Sequence, residues 1–335
     1  MNGLRNLLTD VPGIRVGNAH DERLASGVTV ALFDRPAVAS VFVAGGGPAG
    51  RDQECLEPDR AVERIDAVVL SGGSGLGLDA ATGAQAWLRE RGRGIPVASV
   101  RVPIVPSAVL FDLLNGGDKN WGRFPPYREL AYAACEAASE DFALGTQGGG
   151  YGATTVDLKG GVGSASATTP SGYTVGALAC VNAIGSAVVA GGPHFWAAPF
   201  EQGREFGGLG LPARLPDGAR RFRWKGQREP ATTLCLVATD ATLGKAEARR
   251  LAIMAQGGLA KALSLSHAPM DGDTVFAVST LAKPAEGGPE LLTELGATAS
   301  DCLARAIARG VHAATALPFP SALPAWSDLF GAGGG

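Results

Sequence analysis

Residues 228–243 read REPATTLCLVATDATL, and two adjacent hydroxyls, Thr232 and Thr233, stand where a charged stretch gives way to an apolar run. A threonine there is either a β-branched residue that suits a strand start or a nucleophile. Downstream, HAPMDGDTVFAVST sets Asp271 and Asp273 on either side of Gly272, directly before another apolar run. Two carboxylates this close repel unless donors or cations compensate. They form either a capped turn or a device that orients a hydroxyl or an amine. Lys159 lies beside a double glycine in DLKGGVGSAS, and Asn182 falls inside the very apolar ALACVNAIGS. A buried amide must find hydrogen-bond partners, or it is held ready for a developing oxyanion. This set needs no histidine if the base is the α-amine of the nucleophile itself, freed by cutting the chain just before it. An α-amine with an unperturbed pKa of about 7.7–8.0 suits that task near neutrality.

Other constellations carry less. Gly73, Gly75 and Gly77 follow an apolar run, as in a dinucleotide-binding turn. Their spacing is GxGxG, and IPVASVRVP further on offers no acid for a ribose. A glycine turn feeding a buried helix is the reading kept. Ser74 is followed by Gly-Leu, which does not fit a nucleophile elbow. The four histidines (20, 194, 267, 312) are scattered, as are the five cysteines, with no CxxC or Cys/His cluster. The expectation is therefore no metal and no cofactor.

The elements that must position these residues can be read from periodicity. GIRVGNA, GVTVALF, VASVFVAGGG and IDAVVLSGG read as strands ending at turns. LDAATGAQAWLRERG and YRELAYAACEAASED carry helical periodicity. ATTVDLKGGVGSASATT and YTVGALACVNAIGSAVVAG read as strand–turn–strand. TTLCLVATDA and DTVFAVST read as strands that begin at the candidate residues, TLGKAEARRLAIMAQGGLAKAL as an amphipathic helix, and residues 288–314 as one or two helices. Residues 193–231, rich in Gly, Pro and Arg, hold no period. A connection this long marks a functional or processed segment. The tail from Phe319 onward reads as frayed at its end.

The whole chain of 335 residues supports a sizeable core. Its 49 glycines are about twice the usual share of roughly 7%, which signals tight turns and close backbone approaches. A net charge of −3 without like-charge blocks argues against nucleic acid. Residues 174–192 approach membrane-span length but consist mostly of small residues, so a buried strand–turn pair is expected. The N-terminus lacks a signal-like apolar core. A soluble, cytoplasmic protein with no membrane partner is the expectation.

Seven stretches give a specific resemblance: LLTDVPGIRVGNAHDERLASGVTVALF, DAVVLSGGSGLGLDAATG, VPIVPSAVLFDL, LKGGVGSAS, VNAIGSAVV, ATTLCLVATDATL and HAPMDGDTVFAVST. In this order they resemble the self-processing N-terminal-nucleophile aminopeptidase/nylon-oligomer hydrolase family. The Thr-Thr pair with Asp-Gly-Asp downstream is most similar to the endo-type 6-aminohexanoate-oligomer hydrolase branch; D-/L-aminopeptidases and β-aminopeptidases are more distant relatives. The resemblance implies an α/β fold, an αββα four-layer sandwich related to that of ornithine acetyltransferases. It implies one structural domain, 1–335, processed into a large subunit 1–231 with a linker at 193–231 and a small subunit 232–335. The two would stay together, as a homotetramer of processed pairs. Carried over, Thr232 matches the nucleophile and Ala231–Thr232 the self-cleaved bond. Asn182 matches the oxyanion donor, and Lys159, Asp271 and Asp273 match its polar partners. Where relatives often have Asn or Gly before the nucleophile, this chain has Ala231. Where they place a tyrosine in the pocket, it has Phe111, for which Tyr151 is the candidate substitute. The implied activity is hydrolysis of 6-aminohexanoate oligomers or related peptide and β-amino-acid amides. Aminopeptidase action of the D-/L- or β-type and acyl transfer of the ornithine acetyltransferase kind are the alternatives.

Overall fold

A computed structural model describes residues 5–219, 221–226 and 230–331. The strands are β1 (Ile14–Asp21), β2 (Ser26–Val43), β3 (Gly50–Arg51), β4 (Ile65–Ser71), β5 (Ile95–Val97), β6 (Val100–Val102), β7 (Ser107–Val109), β8 (Gly161–Thr168), β9 (Thr174–Asn182), β10 (Thr232–Ala241) and β11 (Thr274–Lys283). The helices are α1 (Ala80–Glu90), α2 (Tyr127–Glu136), α3 (Lys245–Ala255), α4 (Gly257–Ala262), α5 (Gly288–His312) and α6 (Trp326–Phe330).

Strand β2 joins two sheets. Its first half pairs with β1 and β4 and its second half with β11. Between them, at the exposed Asp34 and Arg35 and at Pro36, the ladder shifts register. Proline has no N–H to give, so a bulge is where a long strand tolerates it. The two strands expected at GVTVALF and VASVFVAGGG are therefore one bent strand. Hydrogen-bonded neighbours run β3-β7-β4-β2-β11-β10-β9-β8, with β1 on the other edge of β2.

The residues of these strands sort by parity into three apolar layers, as a period of two demands. Leu234, Leu236, Leu178, Phe276, Val68 and Phe33 meet between the sheets. Cys235, Val237, Val175 and Val275 face Leu251, Leu295 and Leu303 of α3 and α5. Val28, Val30 and Val69 face Ala84, Leu88 and Ala131 of α1 and α2. Helix, sheet, sheet, helix is the αββα sandwich, and it explains why the strands read as unbroken apolar runs: both faces are covered. Each fully buried Leu or Phe contributes about 1.5–3 kcal/mol.

Small residues set the spacing between layers. A Cβ on Gly163 of β8 would lie 1.8 Å from the carbonyl oxygen of Ala306 on α5, so only glycine permits that approach.

Further expectations need correction. In ATTVDLKGGVGSASATT only Gly161–Thr168 is a strand, and the residues before it form turns and isolated bridges. The helix read over 242–263 is two helices, divided before Gly257 and Gly258, residues that weaken a helix interior. In 174–192 only the first half is a strand. After Asn182 the chain turns away, because Gly185 is pressed against the Ser264 carbonyl (2.0 Å to an ideal Cβ) and a 3-10 turn follows at Val189–Gly191. Helix α5 is continuous for 25 residues. Among the described residues no helix is long and apolar enough to cross a membrane. Residues 332–335, the end of the tail read as frayed, lie outside the described residues, as do Arg228 and Glu229.

Candidate active site

Strands β10 and β11 run parallel, Leu234 opposite Thr274, so their first residues lie side by side. That pairing brings residues far apart in sequence into contact: Ala231 bridges Asp271 in the same parallel sense. On the other edge β9 runs antiparallel, with its last residue, Asn182, directly opposite Thr232. Thr232 shares the parity of Leu234 and Leu236 and lies on the inter-sheet side. Thr233 belongs to the opposite, helix-facing side.

The Ala231–Thr232 peptide is the centre of this arrangement. The Ala231 carbonyl oxygen accepts hydrogen bonds from Thr232 Oγ1 at 2.5 Å and from the Gly272 amide at 2.8 Å. An ideal Cβ on Gly272 would fall 2.4 Å from Thr232 Oγ1, so residue 272 must be glycine for hydroxyl and amide to share that carbonyl. Asp273 holds the chain just beyond: its Oδ1 accepts the Thr233 amide at 2.8 Å. Its Oδ2 accepts the His267 amide at 3.0 Å and faces His267 Nδ1 at 2.9 Å. Asp271 accepts the Gly272 amide at 3.1 Å through Oδ1, while among the described residues no donor reaches its buried Oδ2. Burial, and then the Asp273 carboxylate beside it, push the Asp271 carboxyl well above the usual range.

Asn182 is held at both ends of its amide. Its Oδ1 accepts the Thr154 amide at 3.0 Å and Lys225 Nζ at 2.7 Å, and its Nδ2 donates to the Phe111 carbonyl at 2.8 Å. Lys159 is fully buried and donates to the carbonyl oxygens of Gly150, Ala153 and Gly160 at 3.0, 2.9 and 2.8 Å. Burial lowers its pKa to about 7, against the pull of Asp112 and with the help of the Lys225 charge.

A cavity of about 500 Å³ opens beside these groups, with Phe111, Lys159, Asn182, Trp224, Lys225 and Pro230 in its wall. Thr232 and the two aspartates are buried and do not line it. Pro230, immediately upstream of Ala231, is part of the wall, and Thr232 is only 5% exposed. Of the two pocket residues expected, Phe111 lines the cavity. Tyr151 does not: it stacks on His20 (ring centroids 4.2 Å apart) in an apolar niche with Ala25 and Leu317.

The glycine turn at 73–77 is occupied structurally. Asp112 takes the Gly73 amide at 2.8 Å and the Ser26 hydroxyl at 2.6 Å, and an ideal Cβ on Gly77 would collide with the Gly72 carbonyl oxygen. Among the described residues no group of three His, Cys, Asp or Glu is arranged to hold a metal ion. Sequence reasoning passed over Lys225, His267 and the Gly272 amide. A backbone donor has no side-chain signature, and Lys225 sits in the aperiodic segment, where spacing carries no information. The tight D-G-D turn was the one available hint to Gly272.

Comparison with known proteins gives a consistent answer. Residues 6–322 match the sequence family described as Peptidase family S58. An uncharacterized aminopeptidase of Mycobacterium tuberculosis is 42% identical over 97% of this chain and 98% of its own length. A 6-aminohexanoate-oligomer endohydrolase of a Kocuria species is 27% identical over 83% of this chain and 76% of its own. Among solved structures, an L-aminopeptidase/D-Ala-esterase/amidase of Ochrobactrum anthropi, described as a variant of the Ntn hydrolase fold, superposes with a TM-score of 0.68. That alignment has 20% identity and covers 96% of this chain and 90% of the other.

Proposed function

The chain belongs to peptidase family S58 and is a hydrolase of amide bonds; from that premise we propose that it activates itself by cutting Ala231–Thr232, with Thr232 as nucleophile of both the cut and the later turnover. The observation that carries this reading is the shared carbonyl: Ala231 O meets the Thr232 hydroxyl and the Gly272 amide together, in a water-poor setting. Attack of Thr232 Oγ on the Ala231 carbonyl carbon puts negative charge on that oxygen, where the Gly272 N–H already donates. Collapse breaks the C–N bond and leaves an ester on Thr232. Water then hydrolyses it to an Ala231 carboxylate and a free Thr232 bearing its own α-amine.

In turnover that amine takes the Thr232 hydroxyl proton as Oγ attacks a substrate amide, and the leaving amine receives it. Water then hydrolyses the acyl ester on Thr232, releasing the acid and restoring the hydroxyl. Asn182 is the oxyanion donor of this second reaction. Asp273 fixes the strand start through Thr233, Asp271 faces the new amine, and Lys159, with a pKa of about 7, tunes the local charge. Release of Pro230 from the wall opens Thr232 to the cavity.

The cut divides the chain into 1–231 and 232–335, and sheet order supports their staying together. Strands β10 and β11 of the small part lie between β2 and β9 of the large part. Separation would tear two ladders. We infer a substrate that is a peptide or β-amino-acid-like amide, with 6-aminohexanoate oligomers as a secondary substrate, because the mycobacterial relative called an aminopeptidase is nearer than the oligomer hydrolase. A homotetramer of processed pairs remains part of the proposal.

The test is Thr232→Ala, assayed on amino-acid p-nitroanilides, β-peptides and 6-aminohexanoate oligomers in parallel. Both chain cleavage and hydrolysis should vanish. Retained activity would move the nucleophile elsewhere.

A further inference from the structure

Lys225 lies on the segment upstream of the proposed cut, yet it is anchored to the body of the protein. Its amide donates to the Ile184 carbonyl at 3.0 Å, so the segment docks alongside the chain that leaves β9. Two residues earlier Arg223 forms an ion pair with Asp157, which also accepts the Ser186 hydroxyl. The Lys225 side chain is 7% exposed and points inward, its Nζ 2.7 Å from Asn182 Oδ1 and 3.4 Å from the Asn182 carbonyl oxygen.

An ammonium has three donors and no acceptor, so the atom it meets on Asn182 must be the oxygen. The Thr154 amide makes the same demand from a second direction. Together they fix which way the amide is turned and drive Nδ2 to the other side. There one hydrogen goes to the Phe111 carbonyl and the second is left for an arriving carbonyl. A cation behind the amide oxygen also polarises the group and strengthens its N–H as a donor.

We propose that Lys225 is a positioning residue for substrate turnover: from the C-terminal end of the large subunit it locks and polarises the Asn182 amide as oxyanion donor. The inference rests on the self-cleavage reading. The contacts that hold Lys225, to Ile184 and to Asn182, lie away from the Ala231–Thr232 bond, so Lys225 stays in place after the cut. The lysine belongs to the turnover site rather than to the cutting site, where the donor is the Gly272 amide. Its charge also reaches Asp271 and Lys159, lowering the pKa of each.

The experiment compares wild type, Lys225→Met and Lys225→Arg as purified proteins, each checked for thermal melting, for completeness of cleavage by intact mass, and for kcat and KM on alanine p-nitroanilide. Lys225→Met should be fully cut and lose on the order of tenfold in kcat, less than the hundredfold or more that follows loss of an oxyanion donor itself. Its KM should change little. Lys225→Arg, which also only donates, should recover most of the kcat. A fully cut Lys225→Met with wild-type kcat overturns the proposal, as does an effect confined to KM or an arginine variant no better than methionine. An uncut methionine variant assigns Lys225 to the cut instead and overturns it too. Failure of the underlying reading looks different: the wild-type chain itself is then intact while active.

Discussion

Replacing Gly272 by alanine perturbs the self-cleavage step at one atom. The added methyl would stand 2.4 Å from Thr232 Oγ1, 3.3 Å from Thr232 Cγ2 and 3.2 Å from the Gly47 carbonyl oxygen. The first distance is far inside van der Waals contact, and the third leaves no room to retreat toward residue 47. Either the hydroxyl swings away from the Ala231 carbonyl or the 271–273 turn shifts and carries the Gly272 amide off the oxygen, now 2.8 Å away. Both remove a component of the cut. Losing one oxyanion donor costs about 10²–10³ in rate, or roughly 2.7–4 kcal/mol of barrier. The turn itself tolerates a side chain better than the chemistry does, because residue 272 is not among the positive-φ glycines. The assay is a time course of intact mass after rapid purification, beside a melting curve to verify folding. The expected outcome is a folded, full-length precursor that matures at least a hundredfold more slowly. A Gly272→Ala protein that is cut as fast as wild type would refute the assignment of that amide.

Three other expectations follow from the same geometry. Asp271 has a raised folded pKa, so between its ordinary value of 3.8 and the raised one the folded state holds more protons than the unfolded state. Stability falls as pH rises through that window, and Asp271→Asn should flatten the decline in a series of melting curves. Lys159 has the opposite sign. Its folded pKa of about 7 lies below the ordinary 10.5, so its contribution is complete above 10.5 and is lost as pH falls toward 7. Lys159→Met should remove that alkaline gain. On α5, Arg305 is 1% exposed and grips Glu205 at 2.6 and 2.9 Å, the Asn6 side chain at 2.7 Å and the Ser166 carbonyl at 2.9 Å. Arg305→Met removes the bidentate partner of a mostly buried carboxylate that keeps Arg309 at 3.6 Å, a loss below the roughly 3–5 kcal/mol of a fully unpaired buried charge. It is read as a lower melting point; an unchanged melting point would contradict it.

The layers of the fold were legible because strands covered on both faces are apolar on both, as LCLVA and VFAV are. Strand order was not. No local pattern says that β10 will run parallel to β11, and that pairing alone turns the distant Asp271 into a neighbour of Ala231. GVTVALF and VASVFVAGGG read as two strands because Asp34, Arg35 and Pro36 part their apolar runs, and the single strand accommodates them as a bulge. At the site, Thr232, Asn182, Asp271 and Asp273 had side chains whose chemistry asked for an explanation. The Gly272 amide and Lys225 did not, one being backbone and the other set in a segment that only tertiary docking orders. Tyr151, the candidate substitute for the relatives' tyrosine, stacks on His20 and does not line the cavity.

The central claim is that a peptide bond inside this chain is its own first substrate. Intact-mass analysis of the purified, active protein under denaturing conditions, with N-terminal sequencing, tests it most directly. Two polypeptides should appear, one ending at Ala231 and the other beginning at Thr232, in equal amounts. A single full-length chain carrying the activity would contradict the account.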